Sequence, residues 1–333
     1  MSKLFKLLQI FLSCRIFKRQ ILPYPPESIS IEVTNQCCFK CHFCLQSNPD
    51  HFKNVAPKIL TPEEAEILLK KIRQGGVTSP TIHWTLDGEP FLNKNFVEIV
   101  KIAVKYGFNN HIFSTNGFFA SPETLAKLPR EDVSYTLYID FCADKNLFEQ
   151  IRGTPGSWEN VKNNASTALE NTELPHIKIR MTDISNWRES DPIKQAENRK
   201  KLFDLFEGRV VIDSRDFHNM TGYLKSKGTK ELKYHVCPYP WIDFIMASNG
   251  NVVACCRDLE HKTVLGNLFQ QSLQEIWNGE KSQALRKALI EGHPETMGAC
   301  CGCDMPYDSK KMGLKNIVKS ALGRYQIFKF LMK

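Results

Sequence analysis

The chain has 333 residues, 42% hydrophobic and 24% charged, with 18 glycines and 17 prolines, a composition that excludes collagen-like, low-complexity and wholly disordered classes. No apolar run reaches the roughly 18–20 residues that span a bilayer, which excludes a multi-pass membrane protein. The net charge of +8 sits at the ends: residues 1–20 hold five Lys/Arg and residues 309–333 hold seven, with no acid in either, leaving 32 basic against 36 acidic residues between them. A nucleic-acid-binding body shows the opposite distribution, so no nucleic-acid partner is expected.

In chain order, residues 1–25 form a basic, amphipathic N-terminal segment. Its short apolar stretch lacks a small-residue cleavage site and is followed at once by Arg15, Lys18 and Arg19, which argues against export. From residue 28 to about 215, β-rich runs alternate with helical patterns, the signature of βα units and a parallel sheet or barrel. Six strands are predicted, over 28–34, 81–86, 111–115, 133–140, 177–182 and 209–214. Between them, Thr61-Pro62-Glu63-Glu64 starts a helix with a capping box and Gly75-Gly76 stops it. Helical spacing over 96–106, 158–169 and 193–206 fills later slots.

In a barrel wrapped by helices the outer strand face is apolar, so polar alternates point inward. That assigns Glu32, His83, His111, Thr136, Tyr138, Asp140, Lys178, Arg180, Asp213 and Arg215 to the lumen, which then reads as a ligand site. The expected fold is α/β, a partial (β/α)6 barrel over 26–220. A polar linker over 221–236, a compact cysteine-bearing α+β module over 237–306 and a basic amphipathic helix over 307–333 follow it.

Twelve cysteines fall in clusters, which in a chain without a clear export signal indicates metal or redox chemistry in a reducing compartment. Cys37, Cys41 and Cys44 are spaced Cys-x3-Cys-x2-Cys directly after the first strand. Three thiolates can hold three irons of a four-iron cluster and leave the fourth open to a small molecule. A zinc knuckle on Cys41 and Cys44 leaves the third cysteine unexplained. The position is the end of the strands where barrel enzymes keep their chemistry.

These features resemble the radical SAM superfamily. The resemblance implies that the open iron chelates S-adenosylmethionine (SAM), whose one-electron cleavage gives a 5′-deoxyadenosyl radical that takes a hydrogen atom from substrate. Carried onto this sequence, Cys37, Cys41 and Cys44 become cluster ligands and Phe43 the aromatic beside adenine. Asp87-Gly88-Glu89-Pro90 resembles the Gly-Gly-Glu-Pro that contacts the methionine amino group, with Asp87 in place of glycine. Ser114 and Asn116, in Ser-Thr-Asn-Gly, match a second motif near the cofactor. Tyr138 stands where relatives have serine, and Arg152 where an arginine holds the methionine carboxylate.

Cys237-x12-Gly250-x4-Cys255 with Cys300-x2-Cys303 resembles the SPASM iron–sulfur module of that family, Asn249-Gly250 supplying a hairpin turn. The resemblance implies one auxiliary [4Fe-4S] cluster on Cys237, Cys255, Cys300 and Cys303, with Cys256 an alternative to Cys255 and a zinc ribbon the alternative occupant. Cys142, two residues beyond Asp140, is a candidate hydrogen-atom donor if its strand continues.

Together these imply a cytoplasmic iron–sulfur oxidoreductase acting on a small hydroxylated substrate, such as a sugar, an aminocyclitol or a lipid-linked sugar. Dehydrogenation or epimerisation is expected, with a peptide-modifying maturase as the alternative. Asp140, Arg180, Asp213 and Arg215 are candidates for substrate contact or proton removal. A reductant such as flavodoxin or ferredoxin is implied. The basic tails suggest peripheral contact with the inner face of the membrane, or equally packing on the barrel or on a partner subunit.

Overall fold

The computed structural model describes residues 8–307 apart from 172–173, 175–176, 215–218, 220, 222 and 225–232. Arg215 and the predicted C-terminal helix therefore lie outside the described residues. The first half alternates strand and helix: β1 (Ser28–Ile31), α1 (Pro62–Gln74), β2 (Thr81–Trp84), α2 (Phe96–Lys105), β3 (Asn110–Thr115), α3 (Pro122–Leu125) and β4 (Ser134–Phe141). It continues with α4 (Lys145–Arg152), α5 (Ser157–Glu170), β5 (Ile177–Asp183), α6 (Pro192–Leu205) and β6 (Val211–Ser214). Local chemistry sets these boundaries. At α1, Thr61 accepts from the Glu64 amide while the Glu64 carboxylate accepts from the Thr61 amide, and Pro62 takes a position that needs no amide donor.

β1 to β6 are neighbours in sequence order and all parallel, as a partial barrel requires. The C-terminal module, β7 (Asp243–Met246), β8 (Asn251–Val253), β9 (Val264–Asn267), α7 (Leu273–Trp277) and α8 (Glu280–Glu291), does not stand apart. β7 pairs in parallel with the free edge of β1, and β8 and β9 add antiparallel strands to give one nine-stranded sheet.

The register sorts the two faces. Ser30, His83, Ile112, Thr136 and Lys178 are aligned across five strands, as are Ser114, Tyr138 and Arg180, and then Asp140, Thr182 and Asp213. The opposite face buries Ile82, Trp84, Phe113, Leu137 and Met181. The inward assignment of His111 is corrected by this register, because Ile112 and Ser114 take the lumen rows. His111 is fully buried, accepts from Trp84 Nε1 at 3.0 Å and stacks on Tyr135 at 5.4 Å. Burial lowers its pKa to about 4. A neutral imidazole with one hydrogen bond packs as an aromatic, which alternation of polar and apolar types does not reveal.

Residues 8–25 are packed rather than trailing. Ile10, Cys14, Leu22 and Tyr24 are buried, while the Trp241 and Trp277 indoles donate to the Arg19 and Tyr24 carbonyls, both at 2.9 Å. Ile16, Phe17 and Ile21 remain more than half exposed. Among the described residues no helix is long and apolar enough to cross a membrane.

Candidate active site

The three-cysteine loop leaves the C-terminal end of β1 and is laid on the end of α4. The Lys40 amide donates to the Arg152 carbonyl at 3.2 Å and the His42 amide to the Ile151 carbonyl at 2.9 Å. Contact is so close that a Cβ on Gly153, whose φ is +63°, would lie 2.3 Å from the Lys40 carbonyl oxygen. Phe39 packs edge-on against Phe118, and Phe43 against Trp187 at 5.7 Å. Cys41 is buried, Cys37 and Cys44 are partly so, and Cys38 is exposed. Burial pushes the Cys44 thiol up to about 12. Donation to Cys38, then burial, raises that of Cys37.

Arg152 lies beneath this loop, 4% exposed. Its guanidinium sits 5.1 Å over the Phe39 ring, and its ion-pair contact to Asp140 is long at 3.5 Å. Its buried Nε has no hydrogen-bond partner among the described residues. A buried guanidinium with a spare Nε donor beside three thiols fits an incoming carboxylate.

Asp87-Gly88-Glu89-Pro90 approaches the loop from the end of β2. Gly88 has φ +67°, and a Cβ there would meet the Thr34 carbonyl oxygen at 2.2 Å. The Glu89 carboxylate accepts from the Asn116 amide at 2.6 Å, the Thr115 hydroxyl at 2.7 Å and the Phe91 amide at 3.1 Å, tying this motif to Ser-Thr-Asn-Gly. Burial nonetheless raises its pKa. Asn116 in turn donates to the sulfurs of Cys37 and Cys38. Pro90 opens a short 3-10 turn.

Asp87, the departure from the family pattern, is buried. Its carboxylate accepts from Gln46 at 2.9 Å and pairs with His51 Nε2, while its amide donates to Glu32 at 3.2 Å. Glu32 also accepts from the Ser248 amide and hydroxyl, so it joins β1, the Asp87 turn and the C-terminal module. Gln46, His51 and Ser248 were not visible to sequence reasoning. The only signal was the substitution itself, since an aspartate replacing glycine at a buried turn must find partners.

The predicted substrate residues separate into groups. Arg180 and Asp213 form a bidentate pair, Nε to Oδ2 at 2.9 Å and Nη2 to Oδ1 at 2.7 Å, each about one third exposed, with the guanidinium 5.4 Å over Tyr138. Ser114 precedes Asn116 on the Tyr138 row. Cys142 does not meet the condition set for it. β4 ends at Phe141, and the Cys142 thiol is buried, raised to about 12 by that burial, and donates to the Asp144 carbonyl at 3.5 Å.

In the C-terminal module the β7–β8 hairpin brings Cys255 and Cys256 toward Cys237, Cys300 and Cys303, which influence one another electrostatically. Among the described residues no three potential ligands converge on a single-ion site. Both Cys255 and Cys256 stay candidates. Arg257, a neighbour missed in sequence, donates its amide to Cys255 Sγ at 3.4 Å and Nη1 to Cys256 Sγ at 3.9 Å. The donors are all thiols, as iron–sulfur ligation demands. Burial raises the pKa of Cys237, Cys300 and Cys303, and metal binding would displace those protons.

The radical SAM superfamily profile matches residues 31–189, and that of SPASM, an iron-sulfur cluster-binding domain, matches residues 237–304. An S-adenosyl-L-methionine-dependent 2-deoxy-scyllo-inosamine dehydrogenase from Niallia circulans is 38% identical over 280 residues, 83% of this chain and 92% of that one. The chain belongs to the radical SAM superfamily.

As a radical SAM iron–sulfur enzyme, it uses SAM, a [4Fe-4S] cluster and an auxiliary iron–sulfur site in its SPASM domain. A sporulation killing factor maturation protein from Bacillus subtilis is 29% identical over 177 residues, 53% of this chain; the match spans 40% of that protein's length. The structure of BtrN in complex with AdoMet and 2-DOIA shares the fold, with a TM-score of 0.54 and 22% identity over 84% of this chain and 93% of that one.

Proposed function

We propose that this enzyme dehydrogenates a hydroxylated small molecule of the sugar or aminocyclitol class. The observation that carries the reading is the match to a dehydrogenase over 92% of its length, extending through the SPASM module. When bound, the cofactors supply a 5′-deoxyadenosyl radical to take a hydrogen atom and an auxiliary cluster to take the electron left on the substrate.

The chain's own residues do the rest. Cys37, Cys41 and Cys44 hold the first cluster, and Cys237, Cys255 or Cys256, Cys300 and Cys303 hold the second. Arg152 binds the methionine carboxylate, Phe43 packs by the adenine, and the backbone of Asp87 to Glu89 meets the methionine amine. Pro90 stiffens that turn, and Ser114, Asn116 and Tyr138 line the cofactor side of the lumen. Arg180 orients substrate hydroxyls. Asp140 and Asp213, on one row of the lumen face, are the carboxylates that receive the hydroxyl proton, and Arg215 is a further candidate for substrate contact from its sequence position alone. Return of a hydrogen atom by Cys142, as epimerisation would need, is disfavoured because its thiol is buried and turned to the Asp144 carbonyl. Flavodoxin or ferredoxin is the reductant class, and Ile16, Phe17 and Ile21 beside Arg15, Lys18 and Arg19 form a surface suited to an anionic membrane.

The test is 5′-deoxyadenosine formation by anaerobically reconstituted enzyme with reductant and SAM. Aminocyclitols or sugars should stimulate it, with one ketone per deoxyadenosine, and Asp213→Ala should cut that turnover at least tenfold. Stimulation by peptides alone would favour the maturase reading. Stimulation by a lipid extract alone would point to a membrane-linked sugar.

A further inference from the structure

Two arginines, the buried Arg286 and the half-buried Arg257, serve the SPASM module in different ways. Arg286 lies 4.6 Å over the Trp277 ring and spends its donors on oxygens, Nε on the Pro240 carbonyl at 3.0 Å and Nη1 on the Gln20 carbonyl at 2.8 Å and Asn278 Oδ1 at 3.5 Å. Arg257 also faces an aromatic ring, but its other neighbours are sulfurs. Its amide and Nη1 reach Cys255 and Cys256, and its guanidinium lies 5.7 Å over the Tyr239 ring. Its charge also acts on Cys237 and Cys303, so it bears on thiols from both ends of the module.

Among the described residues, the neighbouring carboxylates turn to other groups. Asp258 accepts from the Lys262 and Thr263 amides, and Glu260 pairs with Lys262 at 2.6 Å. Asp304 acts on the Cys303 side and accepts from the Asn219 amide. A guanidinium remains charged at any working pH, and the ring face under it favours a cation.

We propose that Arg257 is a tuning residue of the auxiliary cluster, a fixed cation that raises its reduction potential so that it accepts an electron from the substrate radical. The electrostatics are direct. Reduction adds one negative charge to a group held by thiolates, and a positive charge beside it in a partly buried site stabilises the reduced form more than the oxidised one. The inference rests on the proposed role of the auxiliary cluster as electron acceptor, but its readout is a potential and not turnover.

The experiment uses the full chain with Cys37, Cys41 and Cys44 replaced by Ala, so that only the auxiliary site loads iron, and follows an anaerobic redox titration by electron paramagnetic resonance. Arg257→Gln should lower the midpoint by at least 59 mV, a tenfold change in the oxidised-to-reduced ratio of a one-electron couple. Arg257→Lys should stay nearer the parent. An unchanged midpoint in Arg257→Gln at full iron content overturns the proposal. So does an equal fall in Arg257→Lys, which would make shape rather than charge the cause. A glutamine variant that loads no iron while the lysine variant does would make Arg257 an assembly residue and also overturn it. Absence of any iron–sulfur signal in the parent would instead sink the reading of the module as a cluster site, and the tuning role with it.

Discussion

Glu32 concentrates three jobs in one carboxyl. It is 2% exposed, accepts from Asp87 and Ser248, and so links the first strand to a cofactor-facing turn and to the C-terminal module. Burial outweighs those hydrogen bonds and lifts its pKa from 4.5 to about 7. Because the folded state then holds a proton that the unfolded chain releases, the group's stabilisation is whole below pH 4.5 and is lost as pH rises through 7. The full effect is on the order of 3 kcal/mol. Thermal melts of the parent and of Glu32→Gln at pH 5.5 and 8.5 should show the parent losing stability at the higher pH relative to the variant. Parallel pH dependence in the two would place the titration elsewhere. At this scale the sequence was most legible where chemistry imposes spacing, as in the Cys-x3-Cys-x2-Cys loop. It was least legible where partners meet only in three dimensions, as Asp87, Gln46 and His51 do.

Among the elements, the N-terminal segment departs most from its compositional reading. Its basic-apolar pattern suited a membrane surface and a packed segment equally, because both bury one face. The structure shows the packed side: Asn278 both donates to the Leu22 carbonyl and accepts from its amide, and Arg286 reaches the Gln20 carbonyl. Removing residues 1–25 strips these partners from buried donors, each worth about 1–3 kcal/mol when left unsatisfied. A calorimetric Tm several degrees lower is expected. An unchanged Tm with lost binding to anionic vesicles would make the segment an anchor only. Helices with capping signals were read within a residue or two, since a cap acts through neighbours in sequence. β4 was read one residue too early, at 133–140 against Ser134–Phe141, because strand ends are set by pairing with distant chain.

For the whole molecule, the sheet was only half legible. The six parallel strands follow from local alternation. The pairing of β7 with β1 does not, because nothing in either strand encodes a partner about 215 residues away. The two family matches, over 31–189 and 237–304, thus describe regions joined by a continuous hydrogen-bonded sheet. A chain ending at residue 236 would expose the edge of β1, whose four residues are all buried in the full structure. Such a fragment should aggregate or bind hydrophobic dye in size-exclusion and dye-binding assays, where the full chain does not. A monodisperse fragment with native circular dichroism would show the barrel to be self-sufficient.

That same pairing sets a timetable for biogenesis. Ile31 meets Met246 across the sheet, so at a synthesis rate of 5–20 residues per second the near edge of β1 waits roughly 10–40 s for its neighbour. The thiol loop that follows β1 emerges early in that interval. Iron delivered to the nascent protein would find the first set of ligands before the second exists.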